Sequence, residues 1–323
     1  PFTFSRAANA NEAISLVRAD GKFIAGGTNL VDLMKEGVEQ PSQLVDIQRI
    51  PLAAIQKTRS GGVSLGALAK NTETANHPLI RSQYPLLTQA ILAGASPQIR
   101  NMATNGGNLL QRTRCAYFYD VAMPCNKREP GSGCGAFEGL NKNHAILGWS
   151  ESCVATFPSD MCVALAALNA KVNVLGKDGK ERLLDFADFH RLPETDATKD
   201  TNLPQGDLIV SIELPKAVPT RSHYVKVRNR ASYAFALVSV AVIFESKGDT
   251  LANPRIALGG VAHKPWRCVE AEAFLNGKTA TDENFKQTAE LALKDAKPLS
   301  QNAYKITLAK RAIIRALRTA NGK

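Results

Sequence analysis

The chain has 323 residues, of which 44% are hydrophobic and 21% are charged. That length and composition indicate a globular protein of two or three domains. No run of about 18 or more apolar residues occurs, so we expect no membrane insertion. The formal net charge of +11 indicates acidic partners. No nucleic-acid-binding motif accompanies that charge, so nucleic acid is not expected.

The first part of the chain alternates helix-like and strand-like segments. The pattern predicts a helix over 11–18, a strand over 22–25, a helix over 30–35 that Gly37 can end, and a strand over 44–47. This strand-helix-strand order predicts a small parallel sheet.

The middle of the chain is less regular. The predicted elements are a strand at 63–65, a helix at 85–93, a hairpin formed by 171–175 and 181–184, and a strand at 208–214. Residues 216–221 are the expected linker. We therefore predict units at 1–57, 58–216 and 217–323.

The last unit combines predicted strands with predicted helices. The strands are 223–228, 234–244 and 256–262, and the helices are 269–275, 283–293 with Thr281 as a cap, and 303–319. Apolar residues recur at helical spacing in the last segment, between lysines and arginines. We expect this helix to dock on its own domain with its basic face in solvent.

Two glycine-rich segments resemble each other, Ala25-Gly-Gly-Thr-Asn-Leu30 and Asn105-Gly-Gly-Asn-Leu-Leu110. Glycines let the backbone approach a ligand closely, and Thr and Asn add hydrogen-bond donors, which suits a diphosphate. Neither segment has the spacing of a known nucleotide fingerprint, so a simple turn and a cofactor site both remain open.

Four of the six cysteines lie in an irregular loop between residues 108 and 158. They are Cys115, Cys125, Cys134 and Cys153, with the spacing C-x9-C-x8-C-x18-C. Zinc sites usually contain close cysteine pairs, so zinc is the poorer fit. An iron–sulfur cluster and a pair of disulfides both remain possible from the spacing. Cys162 and Cys268 fall in helix-like patterns and are expected to be structural.

Several segments in this order are similar to the flavin-binding subunits of the molybdenum hydroxylases, the family of xanthine dehydrogenase and carbon monoxide dehydrogenase. The resemblance covers essentially the whole chain. It is carried by KFIAGGTNLVDLMK (22–35), IRNMATNGGNLLQR (99–112), FPSDMCVALAALNA (157–170), LIVSIELP (208–215), YVKVRNRASYAFALVSVAV (224–242) and GGVAHKPWR (259–267).

The resemblance implies an α+β fold in which a two-part FAD-binding domain of the vanillyl-alcohol oxidase (PCMH) type precedes a CO dehydrogenase flavoprotein-like C-terminal α/β domain. It also implies which residues hold FAD. Those around the diphosphate and the ring would be Phe23, Ile24, Ala25, Gly26, Gly27, Thr28, Asn29 and Leu30, with Thr104, Gly106, Gly107, Asn108 and Leu110. Ser159 and Asp160 would hold the other end of the cofactor, Leu208 would pack on it, and Lys226 would lie near the isoalloxazine.

The chain departs from the common family pattern in the long insertion between the second glycine segment and Ser159. About 50 residues intervene, and they carry the four cysteines. The insertion resembles the cluster-bearing loop of the flavin subunits of 4-hydroxybenzoyl-CoA reductase and of the bacterial periplasmic aldehyde oxidoreductase. The resemblance therefore implies a [4Fe–4S] cluster on Cys115, Cys125, Cys134 and Cys153.

The function implied is electron transfer in a heterotrimeric aldehyde oxidoreductase. A molybdenum-cofactor large subunit and a [2Fe–2S] small subunit would be the partners, and FAD would pass electrons to an external acceptor. No catalytic residue is expected in this chain, because its histidines show no triad or metal spacing. The resemblance implies periplasmic location by co-export with a partner, since no export signal is visible; the alternative is cytoplasmic. A standalone flavin oxidoreductase and a cofactor-free, disulfide-stapled binding module are the rival interpretations.

Overall fold

The computed structural model describes residues 1–322 and contains three β-sheets in that range. The first sheet belongs to the N-terminal unit, whose elements are β1 (Thr3–Arg6), α1 (Ala10–Leu16), β2 (Gly21–Ile24), α2 (Leu30–Lys35) and β3 (Gln43–Asp46). Its strand order is β1-β3-β2, and both pairings are parallel. The predicted parallel sheet is confirmed, with β1 as an additional edge strand.

The second unit has a five-stranded antiparallel sheet. Its first elements are β4 (Ile55–Lys57), β5 (Val63–Gly66), α3 (Asn71–Asn76), α4 (Pro78–Gln83), α5 (Pro85–Ala93), α6 (Pro97–Met102) and α7 (Asn105–Leu109). Its later elements are α8 (Ala116–Tyr119), α9 (Gly135–Glu138), α10 (Asp160–Ala167), β6 (Lys171–Leu175), β7 (Glu181–Asp185), α11 (Phe186–Phe189) and β8 (Leu208–Leu214). The strand order is β4-β5-β8-β6-β7, and β6 and β7 form the predicted hairpin.

The C-terminal unit has a four-stranded antiparallel sheet covered by helices. It comprises β9 (Arg221–Val227), β10 (Val238–Lys247), β11 (Thr250–Gly259), β12 (Trp266–Arg267), α12 (Val269–Leu275), α13 (Asp282–Ala292) and α14 (Tyr304–Ala320). The order is β12-β11-β10-β9. Thr281 caps α13 as predicted, accepting a hydrogen bond from the backbone N–H of Asn284.

Two of the strands in this sheet have bounds that differ from the predicted ones. We expected a strand from Ala234, but β10 begins at Val238, after Tyr233 has taken a left-handed φ of 51° that interrupts an extended chain. β11 ends at Gly259 rather than at Ala262, because Gly260 has a φ of 71°.

The cores of the units are continuous. Helix α10 is buried along its whole length, and its residues share a cluster with Tyr224, Ala241 and Ala257 of the C-terminal sheet. Ile146 and Leu147, from the cysteine loop, belong to the core of the C-terminal unit. The units on either side of residues 57 and 216 therefore pack against each other through shared cores. The boundaries themselves stay predictions.

Helix α14 docks on its own domain, as predicted. Ala309, Ile313 and Leu317 are fully buried against the sheet and α13. One basic residue was assigned wrongly to the solvated face, because Lys305 is fully buried. Two exposed basic residues of this helix pair with α13, Lys310 with Glu290 and Arg318 with Asp282. No helix within residues 1–322 has both the length and the apolar character needed to cross a bilayer.

Candidate functional site

The first glycine segment, residues 23–30, joins β2 to α2 and is partly exposed along its whole length. Gly27 has a φ of 72°, which favours glycine. Gly26 lies directly against the main chain of Met102, where a Cβ would be 2.1 Å from the carbonyl oxygen. Asn29 Oδ1 accepts a 2.8 Å hydrogen bond from the backbone N–H of Arg112. The first segment therefore touches residues on both sides of the second one.

The second glycine segment, residues 104–110, is a short helix, α7, rather than a turn. Thr104 caps it by accepting a hydrogen bond from the backbone N–H of Gly107. Gly106 packs on Ala67, with a built Cβ 3.2 Å from the alanine Cβ. The structure thus brings together the two segments that the sequence singled out, although they are far apart along the chain.

The donors at this junction fit a diphosphate. Asn29 Nδ2 is buried, and it has no hydrogen-bond partner among the described residues. A buried amide N–H₂ without an acceptor is costly, and a phosphate oxygen would satisfy it. The N–H groups of Gly106 and Gly107 already bond to the Ala67 carbonyl and the Thr104 hydroxyl, so the Asn29 amide is the donor that carries the argument. The residues present therefore suit the FAD diphosphate.

A polar chain connects the second glycine segment to Ser159 and Asp160. Asn108 Oδ1 accepts a 2.6 Å hydrogen bond from the Ser159 hydroxyl, which also caps α10. The neighbouring carboxylate of Asp160 accepts from the Tyr224 hydroxyl at 2.6 Å and from Lys226 Nζ at 2.8 Å. Ser159, Asp160 and Lys226 thus lie together at one side of the site.

Lys226 is buried and already ion-paired. Besides Asp160, its Nζ contacts the backbone carbonyl of Ala93 at 3.0 Å. Tyr224 was missed by the sequence reasoning. It could have been found from the sequence, because residues 224 and 226 are two apart in a predicted strand, so Tyr224 points to the same face as Lys226. Leu208 is buried in a different cluster, which includes Phe23 and Ala25 of the first glycine segment.

The four loop cysteines converge. Cys115, Cys125, Cys134 and Cys153 line one small cavity. All six cysteines of the chain are free thiols in the structure. Cys162 and Cys268 are buried in the cores of their helices' units, as expected of structural residues.

The protonation and the spacing of these four thiols determine which kind of metal centre they can bind. Burial raises the pKa of Cys115 to about 12 and that of Cys153 to about 11, so both hold a proton at neutral pH unless a cation replaces it. Within residues 1–322, no three His, Cys, Asp or Glu side chains converge closely enough to bind a single metal ion. In a cubane cluster each thiolate binds a different iron, so its ligands stand further apart than those of one ion.

A buried charge network joins the glycine segments to the cysteine loop. Arg112 Nε donates to Asp200 at 2.8 Å, and Arg112 Nη1 donates to Glu39 at 2.6 Å. Lys127 Nζ donates to the other oxygen of Asp200 at 2.5 Å. Burial alone would raise the pKa of Asp200, but the charges of Lys127 and Arg112 hold it far below its usual value. Asp200 was not predicted, since it lies in a loop without a pattern.

Two family profiles match the chain. The FAD binding domain in molybdopterin dehydrogenase matches residues 1–217, and the CO dehydrogenase flavoprotein C-terminal domain matches residues 223–320. The match to the first profile supports FAD as a cofactor of this chain.

Individual relatives match over nearly their whole length. The aldehyde oxidoreductase FAD-binding subunit PaoB of Escherichia coli (strain K12) is 47% identical to this chain, and the alignment covers 100% of this chain and 99% of PaoB. The glyceraldehyde dehydrogenase medium chain of Sulfolobus acidocaldarius is 28% identical, with 93% of this chain and 90% of the relative covered. Among solved structures, a chain of carbon monoxide dehydrogenase from Hydrogenophaga pseudoflava superimposes with a TM-score of 0.78 at 26% identity, over 99% of this chain and 97% of that one. The predicted fold class is confirmed, and the chain belongs to the family of FAD-binding subunits of the molybdenum hydroxylases.

Proposed function

We propose that this chain is the FAD-binding electron-transfer subunit of a molybdenum-containing aldehyde oxidoreductase. The observation that carries the proposal is the contact of the first glycine segment with Met102 and Arg112, which flank the second segment, at a junction that also holds the unpaired donor Asn29 Nδ2. The 47% identity to an aldehyde oxidoreductase subunit over the full chain supports the aldehyde as substrate class. When bound, FAD supplies a group that accepts electrons and passes them on.

The chain's own residues have binding and positioning roles in this proposal. Residues 23–30 and 104–110 hold the diphosphate and flank the ring. Ser159, Asp160 and Lys226 hold the same end of the cofactor rather than opposite ends, because Lys226 Nζ lies 2.8 Å from the Asp160 carboxylate. Leu208 packs in the same apolar cluster as Phe23 and Ala25 of the first segment. The Asp160 carboxylate fixes the Lys226 ammonium in the wall of the site, so its positive charge is held at a defined place.

We also propose that Cys115, Cys125, Cys134 and Cys153 bind a [4Fe–4S] cluster. Their convergence on one cavity and their free state support a cluster over a pair of disulfides. The cluster would serve as a further one-electron carrier. Lys127 is placed to offset its charge, since burial raises the pKa of Cys153 and the charge of this buried ammonium counteracts part of that rise.

The chain contributes no aldehyde chemistry of its own in this account. A molybdenum-cofactor large subunit oxidises the aldehyde with water to a carboxylic acid, which releases two electrons and two protons. The electrons pass through a [2Fe–2S] small subunit to this chain and on to an external acceptor. The net charge of +11 fits docking on acidic partners. We propose a periplasmic location, reached by co-export with a partner subunit.

The test is anaerobic flavin reduction with and without the partners. Adding an aldehyde to the assembled complex is expected to bleach the flavin absorbance, whereas the same aldehyde leaves the isolated chain oxidised. Bleaching of the isolated chain would instead favour a standalone flavin oxidoreductase. A colourless protein without FAD or iron would favour the disulfide-stapled binding module and contradict the proposal.

A further inference from the structure

His144 lies against one of the four cysteines. Its Nε2 is 3.1 Å from the Cys115 sulfur, although the two residues are 29 positions apart. The histidine is only 8% exposed. We propose that His144 is a positioning residue that donates an Nε2–H···Sγ hydrogen bond to the Cys115 thiolate, orienting this ligand and making the cluster's reduction potential less negative. This inference rests on the cluster in the proposed function.

The placement of the imidazole proton follows from the surroundings of the ring. Nδ1 is buried and has no hydrogen-bond partner in the described part of the chain. A proton on Nδ1 would therefore be a buried donor without an acceptor, which is unfavourable. A proton on Nε2 instead points at the Cys115 sulfur. That sulfur is a thiolate when it binds iron, and a charged acceptor strengthens the bond.

The main chain of His144 is held from several sides. Its carbonyl accepts from Lys305 Nζ at 2.9 Å and from Asn302 Nδ2 at 3.2 Å. Its N–H donates to the carbonyl of Asn141 at 3.0 Å. The buried lysine therefore has a function that its position in the basic helix did not suggest. It ties the histidine, and through it the cysteine loop, to α14.

The contrast with another buried histidine supports a specific role. His190 Nε2 lies 2.8 Å from a backbone carbonyl, that of Leu109, which is the usual partner of a structural histidine. His144 has a thiol in that place. Hydrogen bonds to ligand sulfurs stabilise the extra negative charge of a reduced cluster, so their loss makes the potential more negative.

The experiment is an EPR-monitored redox titration of the assembled complex. The signal of this chain's cluster is identified by its loss in Cys153→Ala, and iron content is measured beside it. His144→Leu is expected to shift the midpoint potential to more negative values. His144→Gln, which keeps a side-chain N–H donor, is expected to restore it at least in part. His223→Leu serves as the control, because His223 lies on β9 of the C-terminal sheet, and is expected to leave the potential unchanged.

The outcomes separate the inference from the function on which it rests. An unchanged potential in an iron-loaded His144→Leu variant overturns the hydrogen bond and leaves the cluster standing. If His144→Leu loads less iron, recovery of both iron and potential by His144→Gln supports the bond, and no recovery contradicts it. A wild-type chain that holds no iron overturns the cluster and this inference together.

Discussion

The two candidate cofactor regions are built in different ways. The glycine segments rest on regular structure, since Gly26 packs on the main chain of Met102 and Gly106 packs on Ala67, at the end of a strand. The cysteine loop, from 111 to 157, contains only the four-residue helices α8 and α9. Two small apolar clusters support it, and each of them includes two of the proposed ligands.

This difference indicates that different interactions hold the glycine segments and the cysteine loop in place. Main-chain packing holds the two glycine segments in place at the FAD junction. The cysteine loop has little core of its own, so ion pairs and metal–thiolate bonds must replace it. Changes in one region should therefore leave the cofactor of the other largely in place, and four predictions test that separation.

The largest effect is expected from Cys153→Ala. Removing one proposed ligand should abolish cluster iron in this chain while FAD remains bound, because the glycine segments are formed independently. The measurement is iron and FAD per chain. Cys162→Ala is the control, since this cysteine is buried in α10 away from the cavity and should retain both cofactors. Joint loss of FAD and iron in Cys153→Ala would refute the separation.

Asp200→Asn should give the next largest effect. The substitution removes the carboxylate shared by Arg112 and Lys127, and breaking a buried pair costs about 3 kcal/mol. Denaturant unfolding of the variant measures the loss. The matched control is Asp178→Asn, whose pair with Arg182 is exposed and should contribute much less to stability. Equal losses in the two variants would show that the network does not stabilise the loop.

Gly26→Val should weaken FAD binding. The added side chain collides with the carbonyl of Met102 and separates the two glycine segments. Such overpacking costs about 2 kcal/mol, equivalent to about thirtyfold in affinity. FAD titration of the deflavinated chain checks this. Gly248→Asn is the control, since Gly248 lies in a hairpin turn with open space around it and asparagine tolerates its φ of 62°. Unaltered affinity in Gly26→Val would contradict the assigned junction.

The last prediction is a pH dependence of the stability that comes from His190. Burial lowers its pKa to about 4 from an ordinary 6.5, so the unfolded chain binds more protons than the native one between these values. The free energy of unfolding should fall as the pH is lowered from 6.5 toward 4, by about 1.4 kcal/mol per pH unit from this residue. His190→Gln keeps a donor for the Leu109 carbonyl and should reduce the slope. An identical slope in the variant would exclude the histidine as its source.

Much of the regular structure could be predicted from the sequence. Helices α2, α5 and α12 and strand β8 have the predicted bounds, because each has a strong apolar pattern between clear breaks. The burial of Lys305 was also readable in principle. It lies four residues before Ala309 and hence on the buried face of α14.

The site depended on information that local patterns do not carry. The contact of Gly26 with Met102 joins segments that are distant in the chain, and only the resemblance to a family indicated it. Nothing in the sequence around Asp200 or His144 indicates a partner, because the residues they contact lie far from them in the chain. The convergence of the four cysteines likewise depends on the tertiary structure. Their spacing alone left a cluster and a pair of disulfides as alternatives.

The most direct test of the central claim is cofactor analysis of the intact complex. The protein is purified anaerobically, this chain is separated from its partners, and FAD, iron and acid-labile sulfide are determined in it. We predict one FAD with about four irons and about four sulfides per chain. FAD without iron in this chain would keep the flavin subunit but contradict the cluster, and a chain with neither would contradict the account as a whole.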